Sequence, residues 1–73
     1  MINELQFIEI YSKTFYDEEY VAELSLTNTN IIIGYASENG TFNIDMNNIT
    51  ENAYKELLNN YNLVLDIIKA LKN

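Results

Sequence analysis

The chain has no histidine, cysteine, arginine, tryptophan or proline among its 73 residues. Each absence removes a chemistry. Without histidine, no side chain titrates near neutral pH at its ordinary pKa. Without cysteine there is no thiolate nucleophile and no disulfide. Without either, the nitrogen and sulfur ligands of a structural zinc site are missing. Without arginine there is no bidentate clamp for phosphate. Catalysis, metal binding and an organic cofactor are therefore not expected.

Cations are scarce as well. Four lysines face eleven acids, for a net charge of −7. Nucleic acid phosphates and anionic lipid surfaces repel such a chain. Direct nucleic-acid binding is not expected, and a basic protein surface is the matched partner. Long apolar runs are also missing. The longest are three residues, such as Ile31-Ile32-Ile33 and Leu63-Val64-Leu65, too short for a membrane span. Met1-Ile2-Asn3-Glu4 carries no basic stretch ahead of an apolar one, so the expected location is cytoplasmic.

What is present is one small domain over residues 1–73, with no linker or repeat. A core of this size supplies only about 3–5 kcal/mol, and small domains often add a staple. With disulfides and zinc excluded, self-association or partner binding is the staple left.

Along the chain, residues 5–14 are rich in β-branched and aromatic side chains, which favours a strand. Their apolar positions switch parity between Phe7 and Ile8, as a bulge would require. A helix is the rival, since Leu5, Ile8, Ser12 and Phe15 share one helical face. Asp17-Glu18-Glu19 reads as a turn. Tyr20, Ala22, Leu24 and Leu26 then alternate with more polar positions, as in a half-buried strand. Asn28-Thr29-Asn30 makes the next turn. Residues 31–36 are apolar on both faces and read as a central strand. Asn39-Gly40 predicts a two-residue type I′ hairpin, followed by alternating Phe42, Ile44 and Met46.

Asp45 to Thr50 reads as the loop into a helix, with Thr50 as its cap. Ile49 and Tyr54 stand at the spacing of a hydrophobic staple. Tyr54, Leu57, Leu58, Tyr61, Leu65, Ile68 and Leu71 predict the buried stripe of one helix over about 51 to 72. The expected fold is α+β: two layers, an antiparallel meander of about four strands packed by one C-terminal helix.

Two surfaces stand out. Residues 1–23 hold six acids against Lys13 alone, whereas residues 24–73 hold five acids and three lysines. The acidic pole is interleaved with aromatic side chains, and tyrosine buries much area at little entropic cost. The candidate partner-binding residues are Glu9, Tyr11, Tyr16, Asp17, Glu18, Glu19, Tyr20 and Glu23. Beyond the main stripe of the helix, Leu63, Ile67 and Ala70 form a second apolar line. One sheet face does not easily cover both lines, so this one is the candidate dimer interface. No dense carboxylate set lies near a nucleophile, and Asp45, Asn47 and Glu51 lack the length and glycine of an EF-hand loop.

In kind, the chain resembles the small acidic proteins by which phages inhibit bacterial defence or DNA-processing proteins, anti-CRISPR proteins and uracil-DNA glycosylase inhibitors among them. The likeness rests on length, on Asp17-Glu18-Glu19 with Glu23, on the lack of cysteine and on the predicted sheet-plus-helix layout. It implies a non-catalytic inhibitor that blocks a basic, nucleic-acid-binding site on a partner inside the bacterial cell. It transfers no site residues, because no motif of a single family is present. The alternative is a homodimeric structural or regulatory module of antitoxin-like or immunity-like kind.

Overall fold

A computed structural model describes residues 5–16 and 19–72, with the backbone alone at Ser12, Lys13, Thr14 and Tyr16. Four strands, β1 (Ile8–Tyr16), β2 (Glu19–Leu26), β3 (Ile32–Ser37) and β4 (Phe42–Ile44), form an antiparallel meander in sequence order. Two helical segments follow, α1 (Glu51–Asn59) and α2 (Tyr61–Lys72), and pack on one face of the sheet. This is the two-layer α+β architecture that the alternation patterns predict.

The β2 alternation is the frame. Tyr20, Ala22 and Leu24 are buried beneath the helices, while Val21 and Glu23 on the other face are half-buried. Across the β1–β2 ladder, Ile10 stands opposite Leu24 and Ile8 opposite Leu26. The pairing slips between Tyr11 and Lys13, so Ser12 is the extra residue. The change of parity read at Phe7–Ile8 therefore falls at Ser12, where the bulge lets Phe15 pair with Tyr20.

β3 has a slip of its own. Leu24 opposes Gly34 and Ser25 opposes Ile32, which leaves Ile33 unpaired and buried in the core. The apolar run 31–36 is covered on one face only. Ile33 and Ala36 are buried, while Ile32 and Tyr35 remain substantially exposed. Gly34 has φ 154°. A Cβ there would strike the Asn43 carbonyl oxygen and Ile44 Cα, so glycine is what lets β4 approach β3.

The Asn39-Gly40 hairpin forms, with a different loop. Gly40 N–H donates to Ser37 O (3.0 Å), Ser37 N–H donates to Thr41 O (2.8 Å), and of the Asn39-Gly40 pair only Gly40 has positive φ. The loop is three residues, Glu38-Asn39-Gly40, rather than a two-residue type I′ turn. Asp45 then organises the loop before α1. Its carboxylate accepts from Asn47 N–H and Asn48 Nδ2 (2.9 Å each), and Thr50 Oγ1 caps the helix by accepting from Ala53 N–H (3.2 Å).

The expected single helix is jointed. Asn60 leaves helical geometry at φ −123°, ψ 31°, and its Nδ2 donates to Glu56 O (2.9 Å). The joint does not break phase, because Ala53, Leu57, Val64 and Ile68 continue one buried stripe through it. That stripe is turned from the expected one. Leu57 and Ile68 are core as predicted, but Leu58 is 59% exposed, Tyr54 and Tyr61 lie outward, and Leu65 and Leu71 are half-buried. Ala53 and Val64 take the centre instead, fully buried in the same core cluster as Ala22 and Ala36 of the sheet. The candidate dimer line is corrected in turn: Ile67 is 4% exposed inside the core and Leu63 packs against it, leaving only Ala70 outside.

The rotated stripe is testable by alanine substitution. Leu57→Ala and Ile68→Ala are each expected to cost about 2–5 kcal/mol. Leu58→Ala should stay within about 0.5 kcal/mol. Urea unfolding reads the difference, and equal losses at Leu57 and Leu58 would restore the orientation expected from the sequence.

Candidate binding surface

Because both helices lie on one side, the opposite face of the sheet is uncovered. Its side chains follow from the register. Tyr11 of β1 stands opposite Glu23 of β2, Glu23 opposite Tyr35 of β3, and Tyr35 opposite Asn43 of β4. One row thus crosses the entire sheet, with an acid between two tyrosines. Tyr35 is 47% exposed and Tyr11 nearly as much. The neighbouring row is Glu9, Ser25 and Ile32. Ser25 is buried, and Ile32 beside it keeps much of its surface open.

The electrostatics of this face are one-sided. Glu9 and Glu23 belong to it, while Lys55, Lys69 and Lys72 all lie on the helices that cover the other face. Lys72 is engaged with Glu38, at 3.0 and 3.1 Å from its two carboxylate oxygens. The face therefore offers flat aromatic area and negative charge together.

Of the residues singled out from the sequence, the fold brings Glu9, Tyr11 and Glu23 onto this face. Asp17 and Glu18 lie outside the described residues, as does the side chain of Tyr16. Glu19 is exposed but committed to the β3–β4 hairpin: its carboxylate accepts from Asn39 Nδ2 (2.7 Å) and Ser37 Oγ (3.1 Å). Tyr20 is a correction. It is fully buried on the helix side, with Phe15 edge-on to its ring at 5.9 Å between centroids, so no partner reaches it. Sequence reasoning missed Tyr35, Ile32 and Asn43 as members of the face. The signal was the register: once β2 alternates, a meander carries the Glu23 face onto its neighbours.

Chemically, the face presents two phenol rings, two carboxylates and an amide. Among the described residues no three acidic side chains converge as a metal site would require. A shallow open hollow of about 300 Å³ lies elsewhere, between Phe7, the Leu26–Thr29 turn and Thr50. Its unmatched polar atom is Thr27 Oγ1, which is buried without a hydrogen-bond partner. The chain matches no family model, and comparison with curated proteins and with solved structures finds no match.

The Tyr20 hydroxyl is likewise buried without a hydrogen-bond partner. Burial, and then the nearby charge of Glu38, push its pKa above the ordinary value of 10.0. The folded protein thus holds the neutral phenol more firmly than the unfolded chain does. Stability from this group is complete below pH 10 and falls as pH rises through the raised value. Tyr20→Phe removes an unsatisfied polar atom while keeping the ring, and is expected to stabilise the fold by about 1 kcal/mol at neutral pH. Thermal unfolding at neutral and alkaline pH checks both parts: the variant's advantage should widen above pH 10. A loss of stability at neutral pH would show that the hydroxyl has a partner in solution.

Proposed function

We propose that the protein is a non-catalytic binding module that sets its uncovered sheet face against a basic surface of a partner protein. The class of target is a protein that handles nucleic acid, bound at the site its nucleic acid would occupy, as in anti-CRISPR-type inhibition inside a bacterial cell. The observation that carries this reading is the row Tyr11–Glu23–Tyr35–Asn43, in which the half-buried Glu23 stands between two exposed tyrosines, flanked by Glu9 and Ile32. A net charge of −7 steers the whole molecule toward a cationic surface. The tyrosines then supply area that survives desolvation, as aromatic side chains do at the centres of interfaces. Four strands spaced about 4.8 Å apart present a face about 15 Å wide, broad enough to cover a basic groove.

Capture from a bacterial lysate, followed by mass spectrometry, identifies the partner. The decisive measurement comes next. Wild-type protein should displace nucleic acid from the purified partner, and binding should weaken as salt rises, since exposed charges are screened within about 8 Å at physiological ionic strength. The paired change Glu9→Lys with Glu23→Lys should slow association strongly, and Tyr35→Ala should speed dissociation. Glu9 and Glu23 are half-buried and Tyr35 is 47% exposed, and circular dichroism on each variant verifies that the fold persists. Displacement that survives both variants undiminished would sink the sheet-face reading.

A further inference from the structure

We propose that two copies of the chain pair through the outward helix line Tyr54–Leu58–Tyr61–Leu65, with the helices antiparallel about a two-fold axis. The line advances by four, three and four residues, the spacing of a coiled-coil seam. It stays in phase across Asn60 because the buried stripe beside it does. Tyr54, Leu58 and Tyr61 are exposed and Leu65 is half-buried. Tyr61 is already fixed in place: its hydroxyl donates to Gly40 O at 2.8 Å and its ring stacks on Phe42 at 5.0 Å. A ring held in this way loses little entropy when its outer face is covered.

The flanking charges choose the partner and its direction. Glu51, Lys55, Asp66 and Lys69 all project on the same flank of this line, given 3.6 residues per turn. In an antiparallel pair related by a two-fold axis, that flank meets its own copy. An axis between Leu58 and Tyr61 sets Leu58 against Tyr61 of the second copy, and Tyr54 against Leu65. The same axis sets Glu51 within one residue of Lys69 and Lys55 within two of Asp66, offsets of about 1.5 and 3 Å along the helix that these long side chains span. Both charge contacts are between opposite signs, and symmetry makes each occur twice. A parallel pair brings opposite flanks together and forfeits this match. The stripe is shorter than the roughly 800 Å² per partner of a standard stable interface, so the dimer is weak and reversible. It uses the layer opposite the open sheet face and does not depend on that reading.

Sedimentation velocity of the full chain, from micromolar to millimolar concentration, tests the arrangement. Wild-type protein should show a monomer–dimer equilibrium, and Leu58→Glu should remain monomeric throughout. Lys55→Glu should raise the dimer Kd about tenfold, and adding Asp66→Lys to it should restore the Kd to within about threefold. Both positions are solvent-exposed, and circular dichroism verifies that helix content is kept. Tyr35→Asp, on the sheet face, should leave the dimer intact. The proposal is overturned by a wild-type monomer at every concentration. It is equally overturned by a dimer that survives Leu58→Glu, by a double reversal no better than the single one, or by a dimer lost in Tyr35→Asp.

Discussion

One helical layer has to stabilise a four-stranded sheet, and it covers only one side of it. With no cysteine to form a disulfide, that single contact between layers carries the core. The solution is a core of mixed sizes. Ala22 and Ala36 on the sheet and Ala53 on α1 are all essentially inaccessible to solvent. They share one buried cluster with the larger Ile8, Ile10, Leu24, Ile33, Leu57 and Ile68. Close packing of this kind recovers dispersion contacts that a looser layer would lose. It also dictates what remains outside: the second face of the sheet and the outer shoulder of the helices.

Glu56 fastens the layers where the sheet is weakest. β1 is an edge strand, and the residues leading into it have backbone N–H groups with no ladder partner. The Glu56 carboxylate takes three of them in succession, Gln6 at 2.7 Å, Phe7 at 2.9 Å and Ile8 at 3.1 Å. Charge-assisted bonds to an anion are stronger than neutral ones. Here they join residues about fifty positions apart and fix where α1 lies along β1. Blocking that end of the edge also protects it from pairing with another chain. At the opposite end, the Lys72–Glu38 pair links the last turn of α2 to the β3–β4 hairpin. The helical layer is thus tied at both ends, by side chains that a hydrophobic pattern does not reveal.

The sequence made the strands legible because period-two alternation survives burial on one face. Tyr20, Ala22 and Leu24 were readable as an inward row, and Thr50 as a cap, from local chemistry alone. The rotation of the helix was not readable in this way. Counting large apolar residues placed the stripe on Tyr54, Leu58, Tyr61 and Leu65, whereas the face nearest the sheet is centred on Ala53 and Val64. A hydrophobic count weights size, but contact between layers selects for fit. The bulge at Ile33, and the position of the one expected in β1, were hidden for a related reason, since each depends on pairing with a neighbouring strand. Tyr20 was misplaced because tyrosine looks like an interface residue; its alternation with Ala22 and Leu24 already pointed inward. The open face was half legible: Glu9, Tyr11 and Glu23 came from charge and composition, but Tyr35, Ile32 and Asn43 joined them only through register.

Charge is sorted by layer as well as by sequence. Glu9 and Glu23 lie on the sheet side without a helix above them, while Lys55, Lys69 and Lys72 stand on the helices. Within the helical layer Glu51 lies 3.1 Å from Lys55, one turn away. Exposed pairs of this kind contribute little to stability, about 0.3–0.5 kcal/mol on a helix. Their arrangement matters more as a pattern of signs. A helical shoulder with balanced, alternating charge tolerates a copy of itself, whereas a face whose described charges are all acidic repels one. On the two proposed readings the chain meets itself on one side and a basic protein on the other, and because the two surfaces are back to back, occupying one would leave the other free.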